Sequence, residues 1–382
     1  MNSRWRGSLS GPCLRLPAGS LGRVATACVL VALVALGTGI GAQSQEQESV
    51  ALRPHVRVVA TGGTIAGRAR SAEAGAGYES GTVPIEELLV DLPGLDRIAE
   101  VTAEQFINVP STAVSPAHWL RLAQRINEIL RDGVDGHEVD GVVVTHGTDA
   151  LEETAYFLDL TVRSDKPVVV VGAMRPPGTV SADGPINLIR AIQTAGAAES
   201  RGRGTLVVLN EEIHDARDAT KTNTHSVETF QSRSWGPLGN VGRAGVNYYR
   251  RAEKRDGARS EFDVTEKTPD DLPRVDILYS YNGADGAGAR GFADAGAVGL
   301  VVAGSGGGGT SRELGQTLRE LAEGGMWLVR TSRTGSGSVG GSGRGTFVGA
   351  DDLLPQKARI LLMVALMSTQ NPEDIQRIFQ EY

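Results

Sequence analysis

The chain has 382 residues, of which 40% are hydrophobic and 22% charged, and its formal net charge is −7. This length is enough for two domains, and the composition is that of a folded globular protein rather than a disordered one. The acidic balance and the lack of a basic stripe argue against nucleic-acid partners and against binding to anionic membranes.

Residues 1–42 have the pattern of a secretory signal peptide. An apolar run, ATACVLVALVALGTGIGA, ends at Ala42 and is followed by the polar stretch QSQEQES. Four arginines and no acidic residue precede the run: Arg4, Arg6, Arg15 and Arg23. We predict cleavage near Ala42 and a periplasmic or secreted protein without stable membrane association. The alternative is an uncleaved anchor, but the run is marginal for a membrane span and no basic flank follows it.

Cleavage would change both the charge and the redox chemistry of the chain. Loss of the four arginines takes the net charge from −7 to about −11. Both cysteines, Cys13 and Cys28, lie in the leader, so the mature chain is expected to have no disulfide, catalytic thiol or cysteine metal site. The six histidines show no metal-ligand spacing, and we predict neither a metal nor a cofactor.

From His55 onward, apolar strands alternate with amphipathic helices. Continuous Val-rich runs, typical of strands buried on both faces of a parallel sheet, occur at 55–60, 140–145, 167–173 and 204–209. The first helix runs from 115 to 132, with Ser115 as N-cap and Pro116 at its first position. Further helical patterns occur at 150–162 and 186–197.

A charged stretch at 250–273 has little apolar periodicity and is predicted to be a linker or a surface excursion. A second α/β block follows, with strands at 275–281, 298–304 and 326–332 and helices around 311–323 and 356–368. We therefore predict an α/β fold: a doubly wound, mostly parallel sheet domain at 52–249 and a smaller C-terminal α/β domain at 274–382.

Two predicted strands end in Gly-Thr turns, TGGT at 61–64 and THGTD at 145–149. Ligands of open parallel sheets bind outside the carboxyl ends of the strands. We therefore expect four polar side chains at one edge of the sheet: Thr61, Thr64, Thr148 and Asp149.

The glycines of these turns, Gly63 and Gly147, would allow close backbone approach and offer N–H groups to a substrate oxyanion. Each turn has an alternative interpretation. TGGT could be a plain tight turn or a phosphate-binding turn of the dinucleotide type. The dinucleotide pattern GxGxxG is not satisfied there, and no ribose-binding acid follows at the expected distance. Thr148 or Asp149 could instead cap the helix that follows.

A third polar segment, DARDATKTNT at 215–224, contributes Lys221. A buried lysine beside a threonine hydroxyl can relay its proton, provided that desolvation lowers the lysine pKa. A solvated surface lysine is the alternative.

Four segments together resemble the signatures of bacterial type II L-asparaginases and of the related glutaminase-asparaginases: VVATGGTIAG, THGTDALEETAYFLDL, KPVVVVGAMRPPGTVSADGPINL and ARDATKTNT. The similarity runs from about His55 to Tyr382. It implies hydrolysis of the side-chain amide of L-asparagine, with L-glutamine as a further substrate. It also implies a homotetramer in which a neighbouring subunit completes each site.

The resemblance assigns roles to matching positions. Thr64 would be the nucleophile, assisted by Tyr78 on a mobile loop after the first strand. Thr148, Asp149 and Lys221 would form a second polar cluster, and Asp149 would also pair with the substrate ammonium group. Ser111 in NVPSTAV would bind the α-carboxylate, with Thr112 beside it.

The chain departs from the family pattern around the expected pocket. Thr112 stands where the family commonly has glutamine, and SYNGADG places Gly283 nearest to an expected asparagine or acidic residue. The family usually supplies a glutamate after an SSR or STR segment. In TSRTGSGSVGGSGRGTFVGADD the first acidic residue is Asp351. These changes concern substrate selectivity and rate more than the class of reaction.

Two other functions fit part of the sequence. A periplasmic amino-acid-binding pseudoenzyme would need Asp149 and Ser111, but it has no use for a Thr64–Tyr78 pair or a Thr148–Lys221 pair. A glutaminase that also accepts asparagine would differ by one substrate methylene, which is worth about 1–3 kcal/mol in a fitted pocket. The hydroxyl pairs favour the enzyme.

Overall fold

The computed structural model describes residues 53–70, 77–90, 92–341 and 347–382. The predicted leader and both cysteines lie outside the described residues. Among the helices in the described ranges, none is long and apolar enough to cross a membrane.

The described residues contain sixteen strands and eight α-helices. The strands are β1 His55–Gly62, β2 Arg68–Ala69, β3 Tyr78–Glu79, β4 Glu100–Val109, β5 Gly141–Thr145, β6 Val168–Val171, β7 Thr205–Leu209, β8 Glu212–Asp215, β9 Ala219–Lys221, β10 Phe230–Ser232, β11 Gly239–Gly242, β12 Gly245–Tyr248, β13 Val275–Tyr279, β14 Gly299–Gly304, β15 Trp327–Ser332 and β16 Phe347–Gly349. The helices are α1 Ile85–Val90, α2 Pro116–Asp132, α3 Leu151–Thr161, α4 Gly184–Ala195, α5 Ala287–Asp294, α6 Arg312–Glu323, α7 Pro355–Leu366 and α8 Pro372–Glu381.

The larger sheet has eight strands in the order β12-β11-β8-β7-β6-β5-β1-β4. Its five strands from β7 to β4 are parallel, and β8, β11 and β12 extend it antiparallel. The sequence predicted β1, β5, β6 and β7, and the mostly parallel sheet is confirmed.

Helices cover both faces of this sheet. On β5, Val142 and Val144 belong to the core beneath α2 and α3, whereas Val143 belongs to the core beneath α4. Successive strand side chains point to opposite faces, so a run of valines without a polar residue is what a doubly covered strand needs. The predicted doubly wound arrangement is confirmed.

The smaller sheet is parallel throughout, in the order β13-β14-β15-β16. Leu300, Val302 and Leu328 face a core formed with α5 and α6. Val301 and Val329 face α7 on the other side. This is the predicted C-terminal α/β block.

One hydrophobic core joins the two sheets. The cluster that contains Trp119 of α2 and Phe157 of α3 also contains Leu361 of α7 and Val301 of β14. Helices α3 and α7 pack against each other. The C-terminal sheet is therefore positioned through α7 on the helix that follows the second Gly-Thr turn.

The stretch predicted as a linker, 250–273, is mostly irregular, with two short 3₁₀ turns. It is not uniformly solvated, since Phe262 and Val264 are buried and Phe262 packs on the ring of Tyr382. The charged composition of this stretch gave no indication of burial, because only two of its apolar side chains, Phe262 and Val264, are buried.

Candidate active site

The two Gly-Thr turns meet at one edge of the larger sheet. β1 and β5 are parallel neighbours with Ala60 opposite Thr145, so both chains leave the sheet side by side. Gly63 has φ +85°, and a Cβ atom there would lie 2.2 Å from the backbone nitrogen of Gly147. Only glycine allows this approach. The predicted convergence of the turns is thus a backbone contact, which places Thr64 and Thr148 one residue beyond it on each chain.

The first hydroxyl pair consists of Thr64 and Tyr78. Their side-chain oxygens are 2.7 Å apart, which is hydrogen-bond distance for two hydroxyl groups. Thr64 begins a 3₁₀ turn, Thr64–Ala66, and is buried. Tyr78 lies on β3, which pairs with β2 directly after that turn, and is 40% exposed. A buried nucleophile candidate thus has a proton acceptor and donor on its solvent side.

The second cluster consists of Thr148, Asp149 and Lys221. The Nζ atom of Lys221 donates to Thr148 Oγ1 at 2.9 Å and to Asp149 Oδ1 at 2.6 Å. The Lys221 side chain is only 16% exposed, whereas that of Asp149 is 67% exposed. Lys221 is therefore not a solvated surface lysine, and the Asp149 carboxylate remains accessible to a ligand.

The alternative in which Thr148 or Asp149 caps α3 is wrong. The N-cap residue is Ala150, and no side-chain bond caps the helix. Both side chains point instead to Lys221. A capping role would have required the same side-chain oxygen atoms to accept backbone N–H groups of α3. Their contact with Lys221 instead favours a site.

His146, between the two threonines of THGTD, has a structural place. It accepts a hydrogen bond from Thr154 at Nε2 and donates from Nδ1 to the carbonyl of Gly147. Thr154 in turn accepts from the indole of Trp119. Burial lowers the pKa of His146 to about 4. The neutral ring thereby fixes the carbonyl of the glycine on which the two turns meet.

The remaining predicted residues divide into two groups. Thr61 is buried and donates to the carbonyl of Thr145 at 2.7 Å, so it ties the strands together rather than facing a ligand. Ser111 is buried against Gly147, where an added Cβ would lie 2.9 Å from Ser111 Oγ. Thr112 is the next residue and is exposed. Ser111 thus joins the contact of the two turns, on the segment after β4.

Sequence reasoning missed one polar residue of this region, Glu152. Its carboxylate accepts the backbone N–H of Lys221 at 2.8 Å. In the sequence, Glu152 and Glu153 are two acids in the first turn of a helix, where the helix dipole alone favours them. No local signal distinguishes a buried acid from a solvated one at this position.

No group of three His, Cys, Asp or Glu side chains within the described ranges is arranged to hold a metal ion. The polar groups at the sheet edge are hydroxyls, one amine, one carboxylate and glycine N–H groups. This set suits acyl transfer, in which a hydroxyl attacks a carbonyl and N–H groups stabilise the oxyanion.

Comparison with known proteins agrees with a site for acyl transfer. The family model "Asparaginase, N-terminal" matches residues 55–254, and "Glutaminase/Asparaginase C-terminal domain" matches 274–379. L-asparaginase 2 of Bacillus subtilis is 44% identical over 332 residues, which cover 86% of this chain and 87% of the relative. The glutaminase-asparaginase of Pseudomonas fluorescens is 41% identical, covering 90% and 94%.

A crystal structure of a probable cytoplasmic L-asparaginase from Campylobacter jejuni superposes with a TM-score of 0.82 at 41% identity. The match covers 86% of this chain and 100% of that one. Both family models and the full-length relatives thus span the two sheets and the segments that carry the hydroxyl pairs. The chain belongs to the asparaginase/glutaminase family of hydrolases.

Proposed function

We propose that the protein hydrolyses the side-chain amide of L-asparagine to L-aspartate and ammonia, with Thr64 as the nucleophile. One observation carries the proposal: the buried Thr64 hydroxyl lies 2.7 Å from the Tyr78 hydroxyl, beside a glycine turn shared with a Thr148–Lys221 pair. An amino-acid-binding protein needs groups for the ammonium and carboxylate of its ligand, but it has no use for paired hydroxyls.

The proposed reaction has two steps. In the first, Thr64 Oγ1 attacks the amide carbon, its proton passes to the Tyr78 oxygen, and the Tyr78 proton passes to the leaving nitrogen. The C–N bond breaks, ammonia leaves, and the aspartyl group remains as an ester on Thr64. In the second, water attacks the ester, L-aspartate leaves, and the proton returns through Tyr78 to Thr64. This relay consumes no external acid or base.

The charges near the pair suit a zwitterionic substrate. Asp149 carries an accessible carboxylate for the α-ammonium group. Ser111 offers a hydroxyl to the α-carboxylate from the segment packed on Gly147. The N–H of Gly147 is a candidate donor to the oxyanion that forms at the amide oxygen. The N–H of Gly63, which the sequence also suggested for this role, donates instead to the carbonyl of Val109 at 3.2 Å. Lys221 keeps the Thr148 hydroxyl oriented and supplies the second proton path.

L-glutamine is the second proposed substrate. The family includes a relative named glutaminase-asparaginase, and the departures at Thr112, at Gly283 and before Asp351 all concern the expected pocket wall. One methylene shifts affinity in a fitted pocket by only about 1–3 kcal/mol, so differences in this wall are enough to change the preference between the two amides.

We further propose a homotetramer whose sites are completed by a neighbouring subunit, and export to the periplasm or medium after cleavage near Ala42. The leader composition supports export, whereas the superposed Campylobacter protein is a probable cytoplasmic L-asparaginase. Sedimentation of the purified protein and N-terminal sequencing of the exported form test the two statements.

The test of the proposed function is ammonia release by residues 43–382 from L-asparagine and L-glutamine separately, with Thr64→Ala beside the wild type. We expect turnover of L-asparagine by the wild type and a loss of at least about 10³-fold in kcat for the variant. A higher kcat/KM for L-glutamine would make the protein a glutaminase first. Saturable binding of asparagine without ammonia from either protein would contradict the proposal and identify a binding protein.

A further inference from the structure

Lys221 is fixed twice to the same short segment. Its amino group donates to Thr148 and Asp149, and its backbone N–H donates to the carboxylate of Glu152 at 2.8 Å. Residues 148–152 therefore hold both the main chain and the side chain of Lys221. The pairing of β9 with β10 leaves this N–H free for Glu152, since the neighbouring ladder bond runs from Thr222 to Thr229.

Glu152 is itself held by the second sheet domain. Its other carboxylate oxygen accepts from the amide of Gln356 at 2.9 Å. The adjacent Lys357 is fully buried and donates to the carbonyl of Glu152 at 2.8 Å and to that of Ala216. Both residues lie in the first turn of α7. The carboxylate thus has a partner on each oxygen, and Glu152 as a whole residue is 8% exposed.

These contacts form a continuous path from α7 to the Thr148 hydroxyl. α7 packs on the C-terminal sheet, Gln356 and Lys357 hold Glu152, Glu152 holds the Lys221 backbone, and Lys221 holds Thr148. A displacement of a proton-relay group by about 1 Å can cost on the order of 100-fold in rate. A buried carboxylate that accepts a hydrogen bond on each of its oxygens is a rigid support for such a group.

We propose that Glu152 is a positioning residue for Lys221, held by Gln356 and Lys357 of the C-terminal domain. It acts by accepting the Lys221 N–H, so that the amino group stays at Thr148. The expected effect of Glu152 on the rate rests on the proposed function. The expected effect of Glu152 on the Lys221 backbone does not. The C-terminal domain then contributes to its own subunit's site through α7, in addition to any contribution to a neighbour.

The test compares Glu152→Ala with Glu153→Ala. Glu153 is the next residue of α3 and also faces α7, 3.8 Å from Arg359, but it lies outside the path to Lys221. We expect Glu152→Ala to lower kcat about 10- to 100-fold with a smaller change in KM, and Glu153→Ala to leave kcat near that of the wild type. Equal effects of the two substitutions, or a change in KM alone, would overturn the proposal.

Glu152→Gln separates positioning from general destabilisation. The glutamine oxygen still accepts the Lys221 N–H, and the Gln356 amide can turn to pair with the new amide nitrogen. We expect most of the kcat to return, whereas a loss as large as that of Glu152→Ala would contradict the proposal. Gln356→Ala provides a milder variant, with a smaller loss expected, if Glu152→Ala does not fold.

Hydrogen exchange at the Lys221 amide distinguishes failure of this inference from failure of the proposed function. Faster exchange at Lys221 in Glu152→Ala, with no change in Glu153→Ala, supports the Glu152–Lys221 bond even if the wild type releases no ammonia. Unchanged exchange in Glu152→Ala would overturn it even if the wild type is a fast asparaginase.

Discussion

At the scale of single residues, Thr64 and Tyr78 carry the proposed chemistry. Tyr78→Phe keeps the ring on β3 and removes only the hydroxyl that lies 2.7 Å from Thr64. Because that hydroxyl is the proposed path for the Thr64 proton, we expect kcat to fall about 10²- to 10⁴-fold with little change in stability. Steady-state ammonia release measures the effect.

Tyr249→Phe is the matched control, since Tyr249 is 63% exposed and lies outside the site. It is expected to retain wild-type kcat. Retention of activity by Tyr78→Phe as well would show that another group accepts the Thr64 proton.

His146 makes stability depend on pH in a defined direction. Its pKa is lowered by burial to about 4 in the folded protein, whereas the unfolded chain has the ordinary value near 6.5. The unfolded state therefore binds the extra proton between these values. The contribution of the neutral ring is complete above pH 6.5 and decreases as the pH falls toward 4, by about 3 kcal/mol in total.

Urea unfolding of the wild type and His146→Gln at about pH 7 and about pH 5 measures this contribution. We expect the difference in free energy of unfolding between the two proteins to decrease at the lower pH. A difference that stays constant with pH would mean that His146 has the same pKa in the folded and unfolded states, which contradicts a pKa lowered by burial.

At the scale of elements, the contact of the two Gly-Thr turns is the feature that brings the hydroxyl pairs to one place. Gly63→Ala would place a methyl group 2.2 Å from the Gly147 nitrogen, at φ +85°. We expect the free energy of unfolding to fall by about 3 kcal/mol or more and activity to be lost, because the turns must separate.

Gly291→Ala provides the control for this substitution. Gly291 lies in α5, and nothing lies within 4 Å of an added Cβ. We expect a gain in stability of about 0.5–1 kcal/mol there, measured by the same thermal or urea unfolding. Comparable effects at the two positions would contradict the role of the turn contact.

The sequence predicted the parts of the fold that have a strong local pattern. The valine runs predicted the central strands, and Ser115 and Pro116 marked the start of α2, where Ser115 and His118 form a capping box. β4 was missed because EVTAEQFINV mixes polar and apolar residues and is only partly buried. The short antiparallel strands β11 and β12 were missed because each contains glycine and only four residues.

The candidate site was predictable to a similar extent. TGGT and THGTD pointed to one sheet edge from topology alone, and the glycine contact supports that reasoning. The contact of Glu152 with Lys221 was not predictable, because 69 residues separate them and both are ordinary in their local context. The structural role of His146 was hidden in the same way, since its partner Thr154 belongs to the next helix.

At the scale of the whole molecule, the two sheets share one hydrophobic core through α7. We expect residues 43–382 to unfold in a single cooperative transition, because opening either sheet exposes the core that the two sheets share. Calorimetry would then show one heat-absorption peak, with the calorimetric enthalpy of the whole chain equal to the van't Hoff enthalpy. Two separate transitions, with α7 and the C-terminal sheet melting first, would contradict a shared core.

The contact through α7 also links the proposed active site to the C-terminal domain. Thr148 lies in the turn after β5 of the larger sheet, and Lys221 lies on β9 of the two-stranded sheet β9–β10. Their support at Glu152 comes from α7. Of the three positions at which the sequence departs from the expected family pattern, Thr112 lies in the N-terminal half, and Gly283 and the stretch before Asp351 lie in the C-terminal half. Selectivity can therefore change there while the hydroxyl pairs at the sheet edge stay the same.

The most direct test of the central claim is covalent labelling of the nucleophile. The probe is an asparagine analogue with a diazoketone in place of the side-chain amide, and peptide mass spectrometry locates the label. We expect modification of Thr64, no label in Thr64→Ala, and labelling of Thr64 still present in Thr148→Ala. A label on Thr148, or turnover of L-asparagine by Thr64→Ala at the wild-type rate, would contradict the assignment of Thr64 as the attacking group.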